Sequence, residues 1–288
     1  NLLNKAGYQC IGVDPAKNLN QNHKNVITDF FNLKILQKIS NKFDLIFGLN
    51  VFAHNDSFIE MFKTANRLLE SDGTFIFEVA YAHRTILQGN FDTIYHEHVC
   101  SYTLTSLNSA LELSGFRIVD VNEIETQGGS LRIICKKSNE NNEINNSVKE
   151  MLKAENNLGY ESEKFYDNIA EIIDSKIKNI NLFFDSCFNE NKTVLFIGAP
   201  ARGVVVMNLV KNINQSNCVV VDDTIEKQNK LFPGVHIPVK NWNEVNYEDY
   251  DLSVILSWNY ADYLYEKLRT LGFQKDVYTL IPEVKKIT

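Results

Sequence analysis

From Tyr8 to Lys136 short apolar runs alternate with stretches of helical spacing, the rhythm of a parallel α/β domain. Tyr8 to Asp14 reads as a buried strand ending in an acid, and Asn25 to Asp29 as a shorter strand that also ends in one. Asp44 to Asn50 is the next strand, followed by a helix from about Ser57 to Leu69. Gly73 to Val79 is another, opened by an Asp72-Gly73 turn. A helix near Leu104 to Ser114 should end at Gly115, a good C-cap residue. Two closing strands, Phe116 to Ile124 and Ser130 to Lys136, are joined through Gly128-Gly129 and should pair antiparallel.

A parallel sheet closed by an antiparallel hairpin is the arrangement of class I methyltransferases rather than of a plain dinucleotide-binding fold. Beyond it, Leu152, Leu158, Phe165, Ile169, Ile172, Ile173, Ile177, Ile180 and Phe183 recur at helical intervals, predicting one or two long amphipathic helices. A second α/β pattern opens at Thr193 with a strand and the turn Gly198-Ala199-Pro200-Ala201-Arg202-Gly203. It continues through the strands at Cys218 and Leu252 and a helix from Tyr260 to Leu271. The expected organisation is a methyltransferase domain over 1–137, a helical connector over 138–192 and a Rossmann-like domain over 193–288.

Composition narrows the possibilities. The chain has 288 residues, enough for two cores, and its 44% hydrophobic and 23% charged content is that of a globular protein. A net charge of −7 argues against nucleic acid as the main partner, because a phosphate backbone asks for a basic face. Five scattered cysteines without a Cys-x-x-Cys pair suggest neither a zinc ribbon nor a disulfide framework, and read as reduced thiols of a cytoplasmic protein. No apolar run has the length of a membrane span. The chain begins Asn1-Leu2-Leu3 rather than with Met, and only part of a helix precedes the first strand. It therefore reads as N-terminally incomplete, with any glycine-rich cofactor loop upstream of Asn1.

The densest chemistry is Tyr95-His96-Glu97-His98, followed by Ser101-Tyr102: two of six histidines, a carboxylate and two tyrosines within eight residues. Histidine titrates nearest neutrality and is the usual proton acceptor in catalysis. The bland alternative is a polar solvated loop. The run lies in a long connection after the strand ending at Val79, on the carboxyl side of the sheet, where open α/β sheets bind ligands. Asn50 to Asp56 follows the preceding strand on the same edge, so His54 either points into that crevice or caps the next helix beside Asp56. Asp14 and Asp29 end strands where such folds place acids against a ribose diol and an adenine amino group. A simple turn acid is the alternative for Asp14. In the second domain the turn at Gly198 could offer N–H groups and Arg202 to a phosphate, although Ala199 and Ala201 break the three-glycine spacing.

Several segments, in order and over nearly the whole chain, resemble the S-adenosylmethionine-dependent sugar C-methyltransferases. They are Asn50 to Asp56, Tyr95 to His98 with Ser101-Tyr102, Gly128-Gly129-Ser130-Leu131-Arg132 and Gly198 to Gly203. Val221-Asp222-Asp223, Pro233-Gly234, His236-Ile237-Pro238 and Ser257 to Ala261 complete the match. The resemblance implies methylation, within deoxysugar biosynthesis, of a carbon next to a ketone on a nucleoside-diphosphate keto-sugar, at C3 of a 4-keto-hexose. It implies His98 as the base that generates an enolate, Glu97 as its tuner, and Tyr95 and His54 on the sugar and the enolate oxygen. It places Asp14, Asp29 and Asn50 on the cofactor and Arg202 and Tyr102 on the substrate, with the C-terminal domain helping to hold the nucleotide sugar. Family members carry a zinc domain and the glycine-rich strand upstream of the part matched here, so no metal ligand is assigned to this chain. They also carry a histidine where this chain has Gln127.

Two other readings remain. An NAD(P)-dependent nucleotide-sugar oxidoreductase or epimerase would use a Tyr-x-x-x-Lys pair, for which Tyr160 with Lys164 and Tyr263 with Lys267 have the spacing. A non-catalytic protein that binds a nucleotide sugar is the third. The oligomeric state is left open.

Overall fold

The structure, a computed structural model, describes residues 2–17, 25–138, 142–160 and 162–287. The chain divides into two compact units. The first comprises Asn1–Ala80, Tyr102–Ile124 and Ser130–Glu155; the second comprises Tyr81–Ser101, Glu125–Gly129 and Asn156–Thr288.

In the first unit, β1 (Gly12–Val13) and β2 (Val26–Ile27) form a small parallel pair. β3 (Phe43–Leu49), β4 (Leu69–Ala80), β5 (Phe116–Ile124) and β6 (Ser130–Lys137) form a sheet ordered β3-β4-β6-β5. β3 and β4 are parallel, whereas β6 runs antiparallel to both β4 and β5. That is the closing hairpin expected from the short Gly-Gly connection. Asp72-Gly73 does not break the strand as a turn. β4 starts at Leu69 and the residues around Gly73 form an irregularity in its pairing with β3, because Leu69 is fully buried and holds the early start.

The core of this unit is aromatic. Phe52, Phe62, Phe75, Phe77 and Phe116 are buried, with ring centroids 5.0 to 6.0 Å apart in the contacts that link them. Such burial supplies most of a core's driving force. Gly48 is needed for it, because a Cβ there would sit 2.9 Å from the Phe52 ring. The first of the two expected helices, Asn146–Asn157, belongs here through Glu155. That buried carboxylate accepts from the Leu104 and Thr105 backbone N–H groups, both at 2.7 Å, and so caps the helix Leu104–Glu112.

The second unit holds β7 (Val194–Ile197), β8 (Cys218–Val221), β9 (Lys230–Leu231), β10 (Pro238–Lys240), β11 (Leu252–Ile255), β12 (Asp276–Thr279) and β13 (Lys285–Ile287). They form one sheet ordered β13-β12-β11-β7-β8-β10-β9, parallel except at its two edges. The chain runs from β7 to β8 on one side and later adds β11 on the other, so the direction reverses between β7 and β11. A doubly wound sheet has its topological switch point there. Alternation along the strands feeds two cores. Val194, Phe196, Val220 and Val254 pack with Ile180, Phe184 and Cys187 of the long helix Glu163–Asn189. Leu195, Ile197, Val221 and Ile255 pack with Leu264, Leu268 and Phe273. The stretch read as a helical connector thus divides: its first helix serves one unit and its second the other.

Candidate active site

The first unit carries a cavity of about 480 Å³ lined by Gly12, Asp14, Phe30, Phe31, Phe47 and His54 among others. Asp14 follows β1, and its Oδ1 accepts from the Ala16 N–H at 2.7 Å. Asp29 precedes the lining residue Phe30 and is half-buried. Its carboxylate takes Lys38 Nζ at 2.6 Å and the Phe30 N–H at 2.8 Å, and these bonds hold it below the usual carboxylate range. Asn50 ends β3 with a left-handed φ of 55°, a conformation asparagine tolerates better than most residues, and its N–H donates to the Glu78 carbonyl. β3 lies at the edge of its sheet, and Leu45, Phe47 and Leu49 are about half exposed.

His54 closes the short turn Phe52–His54 and lines the cavity. In the turn before the following helix, Asn55 Oδ1 accepts the Ser57 N–H at 2.7 Å. Tyr102, expected on the substrate, is buried in the first unit. Its hydroxyl donates to the Phe52 carbonyl at 2.9 Å and its ring meets Phe58 edge-on, so it braces the backbone that presents His54.

The Tyr95–His98 run belongs to the second unit. Tyr95 and His98 close a turn in which the His98 N–H donates to the Tyr95 carbonyl. The rings lie 4.2 Å apart, and the phenol oxygen is 2.8 Å from His98 Nε2. His98 Nδ1 is 2.9 Å from the Thr93 carbonyl. A carbonyl can only accept, so Nδ1 carries the proton, and in the neutral imidazole Nε2 accepts from the Tyr95 hydroxyl. The neutral tautomer is therefore Nδ1–H, with the Nε2 electron pair engaged by Tyr95. Burial pushes the Tyr95 phenol above its usual range; Glu97 and Asp92 add to the rise and Arg202 opposes it. Glu97 is largely exposed and reaches His96 Nε2 at 4.0 Å.

Sequence reasoning missed the residues that hold this turn. Phe91 is buried in the apolar core of the second unit, beside strand residues of β7 and β8. Asp92 is fully buried, and its Oδ2 accepts from Arg202 Nε and from Trp258 Nε1, both at 2.8 Å. The Arg202 guanidinium also stacks over the Trp258 ring at 4.6 Å. An acid flanked by Phe91 and a threonine was a visible signal; the Thr93 carbonyl carries none, since every residue has one. The Gln127 side chain lies outside the described residues. Among the described residues no cluster of three or more His, Cys, Asp or Glu could hold a metal ion.

Comparison with known proteins places the arrangement. Residues 125–281, more than half of the chain, match the family described as C-methyltransferase C-terminal domain, and residues 1–121 match a methyltransferase domain. The chain belongs to the C-methyltransferase family. A curated member, the C-methyltransferase NovU of Streptomyces niveus, is 30% identical over 267 residues, covering 90% of this chain. The chain spans 64% of that relative's length. Among solved structures, an S-adenosylmethionine-dependent methyltransferase from Clostridium acetobutylicum is 17% identical, with a TM-score of 0.35 over 43% of this chain and 73% of the other. The magnesium protoporphyrin IX methyltransferase of Synechocystis with bound SAH is 18% identical, with a TM-score of 0.35 over 48% of this chain and 68% of its own. Within the C-methyltransferase family, the fold is the class I methyltransferase arrangement followed by a Rossmann-like α/β domain. No helix among the described residues is long and apolar enough to cross a membrane.

Proposed function

We propose that this protein is an S-adenosylmethionine-dependent C-methyltransferase acting on a nucleotide-linked keto-sugar, at C3 of a 4-keto-hexose, with His98 as the base. The observation that carries the reading is the Tyr95–His98 pair, with Nδ1 held by the Thr93 carbonyl and Nε2 presented as acceptor. Carbon becomes nucleophilic only after a proton is removed next to the ketone, and a neutral imidazole of fixed tautomer suits that step. Nε2 takes the proton once the Tyr95 hydroxyl, which it accepts from in this arrangement, turns away from it. The hydroxyl released from Nε2 is then a donor for the oxygen on which enolate charge develops. Glu97, close to this pair in the chain, adds to the rise that burial causes in the Tyr95 phenol.

The cavity of the first unit fits the adenosine part of the cofactor. Asp14 offers a carboxylate at a strand end for a ribose diol, Phe30 and Phe31 offer aromatic faces, and Asp29 and Asn50 are chain neighbours of the lining residues Phe30 and Val51. When bound there, S-adenosylmethionine supplies an electrophilic methyl group. His54, on the lining of the same cavity, is assigned to a substrate oxygen.

Nothing specific favours the oxidoreductase reading. The Ala199 N–H of the Gly198 turn is taken by Asp222 at 2.7 Å, and Lys267 pairs with Asp223 at 2.7 Å while lying over the Trp242 ring. Tyr160 is hydrogen-bonded to His83 at 2.6 Å. The test is methyl transfer by the full-length protein to a panel of nucleoside-diphosphate keto-sugars, beside the His98→Asn variant. Transfer to a 4-keto-hexose that disappears in the variant supports the reading; transfer that persists in the variant removes His98 as the base.

A further inference from the structure

In doubly wound sheets the crevice at the carboxyl ends of the strands, at the topological switch point, is where a ligand sits. Here that place holds a side chain of the same unit. Arg202 follows β7 and Trp258 follows β11, the two strands that flank the reversal, and both donate to one carboxylate oxygen of Asp92. Both side chains of the ion pair are sequestered, Asp92 completely and Arg202 to 11% exposure. Removing such charges from water is costly; pairing, the indole N–H and the stacked guanidinium offset part of that cost at Oδ2, while Asp92 Oδ1 is buried without a hydrogen-bond partner. Gly128 is shaped to the same device: its φ is +85°, and a Cβ there would lie 2.7 Å from the Trp258 ring.

Asp92 is joined by one peptide bond to Thr93, in the tight turn Phe91–Thr93 that the Ile94 N–H closes on the Phe91 carbonyl at 3.0 Å. The Thr93 carbonyl is the acceptor for His98 Nδ1. We propose that Asp92 is a positioning residue for His98, and that the switch-point crevice of the C-terminal domain serves as a receptor for its carboxylate rather than for a nucleotide. Arg202 and Trp258 clamp Asp92, Asp92 fixes the Thr93 carbonyl, and that carbonyl sets the tautomer and direction of the imidazole. Orienting groups of this kind act on rate through geometry, where a displacement of about 1 Å costs about 10²-fold. Glu97, Asp92 and Arg202 act on Tyr95, and Tyr95 contacts His98. The catalytic consequence rests on His98 being the base; the structural one does not.

The experiment therefore reads both, in full-length protein labelled with ¹⁵N-histidine. In the wild type, two-bond ¹H–¹⁵N spectra are expected to show His98 as a single Nδ1–H tautomer. In Asp92→Asn the tautomers should mix and turnover should fall about 10²-fold, with cofactor affinity and sugar KM unchanged. Trp258→Phe, which keeps a ring and the ion pair, should show the same change to a smaller degree, and it carries the test should Asp92→Asn fail to fold. A folded variant with an unaltered tautomer overturns the proposal, as does a loss expressed in sugar KM with the tautomer intact. If His98→Asn retains turnover, the assignment of the base falls, while the tautomer measurement still decides the role of Asp92.

Discussion

Two histidine-bearing segments follow neighbouring strands of one sheet and are held in opposite ways. The segment after β3, with His54, is fixed within the first unit by packing: Phe52 sits among aromatic rings and Tyr102 bonds its carbonyl. The segment after β4, with His98, is built into the second unit, by the Phe91 side chain in the core and a buried charge cluster at Asp92. Packing around His54 leaves the residue exposed on a cavity wall. The polar contacts around His98 put a proton on Nδ1. The difference teaches that similar residues at equivalent chain positions acquire their chemistry from what anchors the backbone beside them.

The sharpest way to break the comparison is through His98 itself. His98→Asn is expected to lower turnover by about 10²–10⁴-fold in steady-state methyl transfer, with cofactor affinity by calorimetry unchanged. Asp92→Ala leaves the buried Arg202 charge without its partner and should destabilise the second unit by about 3–5 kcal/mol in denaturant unfolding; Asp92→Ala with Arg202→Met should recover part of that loss. Phe52→Ala tests the other anchor. It is expected to cost the first unit about 3–5 kcal/mol by the same measurement, while the His98 tautomer stays as in the wild type. A change in that tautomer would mean that the two anchors are not independent. Tyr102→Phe removes one hydrogen bond and should cost about 1 kcal/mol. The smallest effect concerns pH. Glu97→Gln removes an influence that raises the Tyr95 phenol, so that phenol should titrate at lower pH than in the wild type, followed by ¹³Cζ-tyrosine NMR. An unchanged titration would show that burial alone sets it.

Much of the fold was legible because the patterns are local. Short apolar runs gave β3 to β8 and β11 to within a few residues, and Gly128-Gly129 announced the antiparallel closing hairpin. The early strands were harder. Tyr8 to Asp14 shortens to Gly12–Val13, paired with Val26–Ile27. Side-chain chemistry singled out Asp14 and His54, which line the cavity of the first unit, and Tyr95 and His98, which hydrogen-bond each other, and the placement of their segments after strands followed from chain order.

What the sequence determined by itself is therefore the inventory and its order: two α/β patterns, their connecting helices and a dense run of titratable groups. Periodicity records which face each element buries, and that information is written every few residues. Only the tertiary structure decided which unit the His98 segment joins, that Arg202 grips Asp92, and that a backbone carbonyl selects the tautomer. Those facts depend on residues more than a hundred positions apart meeting at one carboxylate. No local pattern encodes which buried acid a distant arginine will find.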